Sequence, residues 1–351
     1  GGTGGHVFPA LAVAEELRSQ GHSVVWMGTR KGVESRLVPA AGYPIEWLQV
    51  AGLRGKSRLT MALAPFKLIA ACWQAAGILR RNRPRAVLGM GGFASGPGGL
   101  MAWLMRIPLV IHEQNAIMGL TNRILRSVSS RVFFAFPQRF PLRAKESVIG
   151  NPVRVEIAAL EEPKQRLADR DNQTVRLLVI GGSLGARTLN TIVPEALAKL
   201  DSHLRLEVRH QCGERHLEDC AQHYQKLGVT AEVQPFIDNM QQAYQWCDLV
   251  LCRAGAMTVS ELSAVGVAAI LVPFPYAVDD HQYHNAMFLQ RAQAAVVFRE
   301  SELTASVLAQ CLQELVTDRS QLMKMSVKAR ALAKVDAAQQ VAETLLQEAL
   351  V

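Results

Sequence analysis

The sequence predicts an α/β protein made of two doubly wound, Rossmann-like domains facing each other across a cleft, and three observations carry that prediction. Its 351 residues are long for one hydrophobic core and ordinary for two. A glycine turn leading into a helix occurs twice, as Gly1-Gly-Thr-Gly-Gly5 and Gly181-Gly-Ser-Leu-Gly185, the copies sharing their first two glycines, a hydroxyl residue and the fifth glycine. A further strand, glycine turn, helix, strand unit runs from Asp248 to Val272. Such a unit aims the N–H groups of a helix N-terminus at the carboxyl end of a parallel sheet, where open α/β sheets bind ligands and an anion is the natural guest.

Taken in order, the first glycine turn opens a helix over 7–20, with Phe8, Leu11, Val13 and Leu17 apolar, and a strand over 23–27 follows the Gly21 stop. A strand is expected ahead of Gly1, which makes the start of the sequence look cropped or misassigned. A third glycine-rich turn, 89–99, follows a strand at 86–88. The polar, proline-bearing stretch 161–173 reads as the interdomain linker. The second half repeats the grammar, with a strand at 175–180 and a helix from the turn to about Leu200. Asp248 to Cys252 is a short apolar run expected as a buried strand, Thr258 to Val265 a helix ended by Gly266, and Ala268 to Val272 a second strand. Helical pattern resumes from about Gln321 and breaks near Val335-Asp336. The expected domains are 1–153 and 154–334, with a C-terminal helix over 335–351 crossing back to the first.

Composition and motifs exclude several classes. A net charge of +8 points to an anionic partner without saying which. Six cysteines form no CxxC pair and no metal-ligand spacing. The dinucleotide fingerprint fails, because neither glycine loop has its spacing and no acidic residue ends the second strands, which read Met27-Gly28-Thr29 and Arg209-His210-Gln211. The phosphate loop with its lysine is absent. Asp169-Arg-Asp171 looks like the acidic pair of metal-dependent transferases, but its place in the polar stretch makes it solvated charge. No nucleic-acid motif or aromatic platform accompanies the basic charge.

Residues 54–85 combine an apolar stripe with basic flanks. Leu59, Leu63, Phe66, Ala70 and Trp73 fall on one helical face, with Ile69 beside them, and Arg54, Lys56, Arg58, Lys67, Arg80, Arg81, Arg83 and Arg85 surround it. Pro65 and Lys67 make it a poor transmembrane helix. Two readings stand: a helix packed on a sheet, or one lying on an anionic membrane surface through Leu63, Phe66, Ile69, Trp73, Arg80 and Arg81. Two readings also stand for Thr258-x-x-Glu261. It has the form of a capping box, and its carboxylate is equally suited to accept the two hydroxyls of a ribose.

The conjunction of Gly-Gly-Thr-Gly-Gly-His6, Gly-Met-Gly-Gly92, His112-Glu-Gln-Asn115, Gly150-Asn-Pro-Val-Arg154, Gly-Gly-Ser-Leu-Gly-Ala186, Thr258-Val-Ser-Glu261 and Asp280-His-Gln-Tyr-His-Asn285 resembles the MurG family, glycosyltransferase family 28, over the whole chain. The resemblance implies a GT-B fold and inverting, metal-independent transfer of GlcNAc from UDP-GlcNAc to undecaprenyl-linked lipid I. It places that work at the cytoplasmic face of the inner membrane and calls for no cofactor. Carried over, the donor contacts are Thr3, Gly4, Gly5, Asn115, Arg154, Ser183, Ile237, Ala256, Met257, Thr258, Val259, Ser260, Glu261 and Gln282. One departure stands beside Gln282, where His281 replaces an expected glutamine.

Transfer needs a base for the acceptor hydroxyl, stabilisation of the leaving diphosphate and a held sugar. His6 is the candidate base, since a helix N-terminus disfavours the imidazolium form. Its alternative role is to hydrogen-bond a phosphate or cap the helix. Glu113 is the reserve base, or else a structural carboxylate tied to Asn115. Ser183, the N–H groups at its helix start and Arg154 are suited to the leaving group. Alternatives are another enzyme on the same scaffold, such as a UDP-sugar transferase acting on a diacylglycerol or a UDP-GlcNAc 2-epimerase, and a membrane-bound module that binds a nucleotide sugar without turnover.

Overall fold

The computed structural model describes residues 4–49, 64–168, 170, 174–182 and 185–350. Thr3, Leu63 and Ser183, together with the basic stretch 54–58 and the aspartates Asp169 and Asp171, lie outside the described residues. The chain divides into two compact units, one comprising Gly1–Arg154 with Lys334–Val351 and the other Val155–Ala333.

In the first unit, helix α1 (Gly4–Ser19) is followed by β1 (Trp26–Gly28), α2 (Glu34–Ala40) and β2 (Ile45–Trp47). The chain continues through α3 (Ala64–Asn82), β3 (Val87–Gly89), α4 (Gly92–Leu104), β4 (Leu109–Glu113), α5 (Leu120–Leu125), β5 (Arg131–Phe134) and β6 (Glu146–Val148). β1 and β2 pair in parallel, and β3-β4-β5-β6 form a parallel sheet in sequence order. All five residues of β4 are buried, because both faces of this sheet are covered. Val110, Phe133 and Ile149 pack with Val13 of α1 and with Val341, Ala342 and Leu345 of the C-terminal helix Ala337–Glu348. Leu109, Ile111, Val132 and Phe134 pack with Met118 and Leu125 on the other face. The alternation of neighbouring residues between two apolar layers is what a continuous apolar run achieves in a strand.

The second unit begins with two short helices, α6 (Val155–Ala158) and α7 (Pro163–Arg166), and continues through β7 (Thr174–Ile180), α8 (Arg187–Leu197), β8 (Arg205–Gln211), α9 (Leu217–Lys226) and β9 (Glu232–Gln234). Then follow α10 (Met240–Trp246), β10 (Leu249–Cys252), α11 (Ala256–Val265), β11 (Ala268–Leu271), α12 (His281–Arg291), β12 (Ala295–Val297), α13 (Ala305–Thr317) and α14 (Arg319–Ala331). The sheet order is β12-β11-β10-β7-β8-β9, all parallel, which is the doubly wound order with its reversal between β7 and β10. Cys252 pairs with Ile180, so the turns after these two strands emerge side by side at the switch point, where ligands bind in such sheets.

Two expectations need correction. The stretch 161–173, expected as a linker, is built into the second unit where it is described. Arg166 is buried and donates to the carbonyls of Tyr244, Cys247 and Gly266, and Arg170 pairs with buried Asp248 at 2.9 Å. Those carbonyls cap the carboxyl ends of α10 and α11, where a guanidinium is favoured by the helix dipoles. Helix α11 starts at Ala256 rather than Thr258, with Gly255 as its N-cap in an extended conformation (φ −61°, ψ 145°). Thr258 is therefore inside the helix rather than at its cap.

Candidate functional site

The described donor and catalytic candidates fall into two groups, one in each unit. In the first unit, α1 begins at Gly4 and carries Gly5 and His6 in its first turn. The His6 ring lies against Gly91, where a Cβ would sit 3.3 Å from its Nε2 and Cδ2. Gly91 also has φ +78°, so the backbone favours glycine there and a Cβ would crowd the ring. Beside it, Glu113 ends β4 with its carboxylate buried. Oε1 accepts from the N–H of Asn115 (3.1 Å) and its Nδ2 (3.4 Å), and Oε2 accepts from the N–H of Gly119 (3.0 Å) and from Asn122 Nδ2 (2.9 Å). Burial nonetheless raises the Glu113 pKa, with these donors opposing. Four donors on one carboxylate make it the organiser of the 114–119 turn, which supports the structural reading of this residue over a base.

Neighbouring His112 is buried, and burial lowers its pKa to about 4 against the opposing bond from its Nε2 to the Gly150 carbonyl (2.8 Å). Gln114 and Asn151 complete this layer through the bond from Asn151 Nδ2 to the Gln114 carbonyl (3.1 Å). Arg154 follows the Gly150 turn and stacks over the Phe8 ring of α1 at 5.5 Å. That packing holds its guanidinium on the helix carrying His6.

In the second unit, Gly181 and Gly182 leave β7 and Gly185-Ala186 enters α8. The end of β8 fixes both. Gln211 Oε1 accepts from the Gly182 N–H (3.1 Å), and its Nε2 donates to the carbonyls of Gly182 (3.0 Å) and Pro235 (3.1 Å). At Gly185, φ is +74° and a Cβ would lie 1.9 Å from the Cys212 carbonyl oxygen. That carbonyl accepts from Asn190 Nδ2 (2.9 Å), Asn190 Oδ1 meets His210 Nε2 (3.1 Å), and His210 Nδ1 meets the Tyr224 hydroxyl (2.8 Å). With the Asn190 amide so oriented, His210 carries its proton on Nε2 and accepts from Tyr224. His210 is buried, which lowers its pKa to about 4.

Alongside, α11 presents Ala256, Met257, Thr258, Val259, Ser260 and Glu261 from the switch-point turn. Glu261 is 8% exposed and its Oε2 accepts from the Tyr244 hydroxyl at 3.1 Å. The turn is held by Asn285 Nδ2 on the Ala254 carbonyl (3.3 Å) and by Arg253, which donates to the carbonyls of Val272 and Pro273 and pairs with Glu300. Gln282 of α12 accepts from the Phe274 N–H through Oε1 (2.9 Å). His281 bonds the Val278 carbonyl through Nδ1 (2.7 Å), so the residue at the departure point serves its own turn. Ile237 is half-buried after β9. Sequence reasoning missed Gln211, Tyr244, Asn122 and Asn190, although Gln211 stood at the strand end inspected for an acidic residue.

On α3, Phe66 (70%), Ile69 (55%) and Trp73 (72%) face solvent, while Ala71, Ala75, Ile78 and Leu79 form the buried side. The described part of the apolar stripe therefore does not pack on a sheet. Arg80 and Arg81 end the same helix, with Arg81 paired to Glu46 at 3.0 Å. Among the described residues, no helix is long and apolar enough to cross a membrane and no cluster of His, Cys, Asp or Glu is arranged for a metal.

Two Rossmann-like domains, with glycine turns at the carboxyl ends of their parallel sheets, define a GT-B glycosyltransferase. The chain belongs to glycosyltransferase family 28: residues 1–134 match the family's N-terminal domain and residues 176–341 its C-terminal domain. It is 55% identical over 99% of its length, and 97% of the relative's, to the UDP-N-acetylglucosamine--N-acetylmuramyl-(pentapeptide) pyrophosphoryl-undecaprenol N-acetylglucosamine transferase of Nitrosococcus oceani. The transferase of the same name from Marinobacter nauticus is 52% identical, with 99% and 96% covered. The crystal structure of Acinetobacter baumannii MurG superimposes with a TM-score of 0.85 at 40% identity, covering 98% of this chain and 96% of that one.

Proposed function

We propose that the chain transfers GlcNAc from UDP-GlcNAc, with inversion, to the MurNAc 4-hydroxyl of undecaprenyl-pyrophosphoryl-MurNAc-pentapeptide. The observation that carries this is identity above half, across the full length, to transferases named for that reaction. In the reaction the acceptor oxygen attacks C1 of the sugar, the bond from C1 to the diphosphate breaks, and UDP departs. His6 takes the acceptor proton. Glu113 shapes the turn that carries Asn115, a donor contact. Glu261 accepts the ribose hydroxyls, and Gln282 Nε2 is suited to the sugar. The α8 N-terminus and Arg154 offset the charge growing on the diphosphate. No step calls for a metal, so turnover is expected to survive EDTA, and strict dependence on Mg²⁺ would count against the scheme.

The first unit takes the lipid-linked acceptor and the second most of the donor. The solvent-facing Phe66, Ile69 and Trp73, with Arg80 and Arg81 at the helix end, support peripheral attachment to the anionic cytoplasmic face of the inner membrane. The deciding experiment is transfer of labelled sugar from UDP-GlcNAc to a short-chain lipid I analogue. Product establishes the activity. Bound UDP-GlcNAc without product would shift the reading to another acceptor or to a non-catalytic module.

A further inference from the structure

We infer that Tyr244 is a positioning residue for the ribose of the donor, its hydroxyl setting the plane of the Glu261 carboxylate and so the preference for a ribonucleotide. The inference rests on the reading that Glu261 takes the ribose hydroxyls. A carboxylate accepts from two vicinal hydroxyls at once only when its plane lies along them. The carboxyl end of Glu261 turns about a soft terminal torsion, so something must choose the angle.

The Tyr244 ring supplies that choice. It is 1% exposed, fixed by packing on every side, and its one hydroxyl proton is directed at Glu261 Oε2 at 3.1 Å. Burial and the adjacent carboxylate keep the phenol protonated, its pKa held well above the usual 10, so Tyr244 is always the donor and Glu261 the acceptor. A phenol also rotates less than any aliphatic donor of equal reach, having two side-chain torsions before the hydroxyl.

The supports of the two residues are joined as well. Arg166 Nη1 donates to the Tyr244 carbonyl (3.3 Å) and to the Cys247 carbonyl (3.1 Å), while Nη2 donates to the Gly266 carbonyl (2.7 Å). One buried guanidinium thus clamps the carboxyl ends of α10, which carries Tyr244, and of α11, which carries Glu261. The side-chain pair is held at its tip by its own bond and at its base by that cation.

The test is binding of UDP and 2′-deoxy-UDP, measured calorimetrically, to the full chain and to Tyr244→Phe, Glu261→Ala and the double variant. Tyr244→Phe removes one oxygen and keeps the ring. It is expected to weaken UDP binding about tenfold while leaving 2′-deoxy-UDP binding within twofold, as loss of a bond to a charged group predicts. Glu261→Ala should abolish the ribose preference, and adding Tyr244→Phe to it should change nothing further. Unaltered preference in Tyr244→Phe, with Glu261→Ala having lost it, overturns the inference. Equal weakening of both nucleotides overturns it too, since that is what loosened packing would do. A wild-type preference surviving in Glu261→Ala would instead remove the ribose reading on which it rests.

Discussion

Gln211 brackets Gly182, accepting from its N–H at 3.1 Å and donating to its carbonyl at 3.0 Å with the two ends of one amide. The Gly182 N–H is thereby spent inside the protein, so on the proposed donor reading the diphosphate is left to the N-terminus of α8. Gln211→Leu removes the bracket without changing charge. Two neutral hydrogen bonds are worth about 1 kcal/mol each, so UDP affinity should fall roughly tenfold or more while uridine, which lacks the diphosphate, binds as before. Calorimetry with the two ligands checks it.

Gly185→Ala should be far more damaging. The added methyl would sit 1.9 Å from the Cys212 carbonyl oxygen, on a residue at φ +74°. Neither atom can yield without moving the end of β8, and a loss of about 3 kcal/mol or more is expected. Denaturant melting would register this as a lower midpoint with an unchanged slope.

His6→Ala should lower kcat by about 10²-fold to 10⁴-fold, the usual worth of a positioned base, while UDP-GlcNAc affinity changes little. Glu113→Gln, in contrast, exchanges an acceptor oxygen for a donor facing four N–H groups. It should show its effect in stability and in donor binding through the displaced Asn115. A kcat profile in which Glu113→Gln alone removes turnover, with folding intact, would reverse the two roles.

The buried histidines give the protein an acid limit. His112 and His210 titrate at about 4 in the fold, below the usual 6.5, because burial opposes the charged form. An unfolded chain therefore takes up these protons first as pH falls. The associated stability is complete above pH 6.5 and drains away between 6.5 and 4, on the order of 3 kcal/mol per histidine. Melting temperatures across that range, with His210→Gln flattening part of the fall, would test it.

Exchanging Phe66 and Trp73 for serine removes exposed apolar area without touching the buried side of α3. Binding to vesicles containing phosphatidylglycerol should weaken by an order of magnitude, with transfer to a soluble acceptor analogue unaffected. Equal binding by the variant would dissociate this face from the membrane.

The elements legible in the sequence were those set by local chemistry. Glycine turns, fully apolar strands such as Leu249–Cys252 and the Gly266 stop announce themselves within a few residues. What remained hidden depends on distant partners. The composition of 161–173 says linker, yet Arg166 is buried because its carbonyl partners lie 78, 81 and 100 residues further on. Thr258-x-x-Glu261 reads as a capping box only while the helix start is unknown. Gly255 takes an extended conformation that lets the helix begin two residues earlier, and Glu261 is then turned to Tyr244. Tyr244 had no signal at all, being one aromatic residue in a short amphipathic helix.

The first unit keeps its final helix for last in another sense. Val341, Ala342 and Leu345 cover the sheet face made by Val110, Phe133 and Ile149, yet about 190 residues of other chain are synthesised between them. On the ribosome, the second unit can finish folding while that face still lacks its final helix. A partly uncovered apolar surface of this kind invites chaperones, and shortening the chain by its last two helical turns would leave that part uncovered permanently.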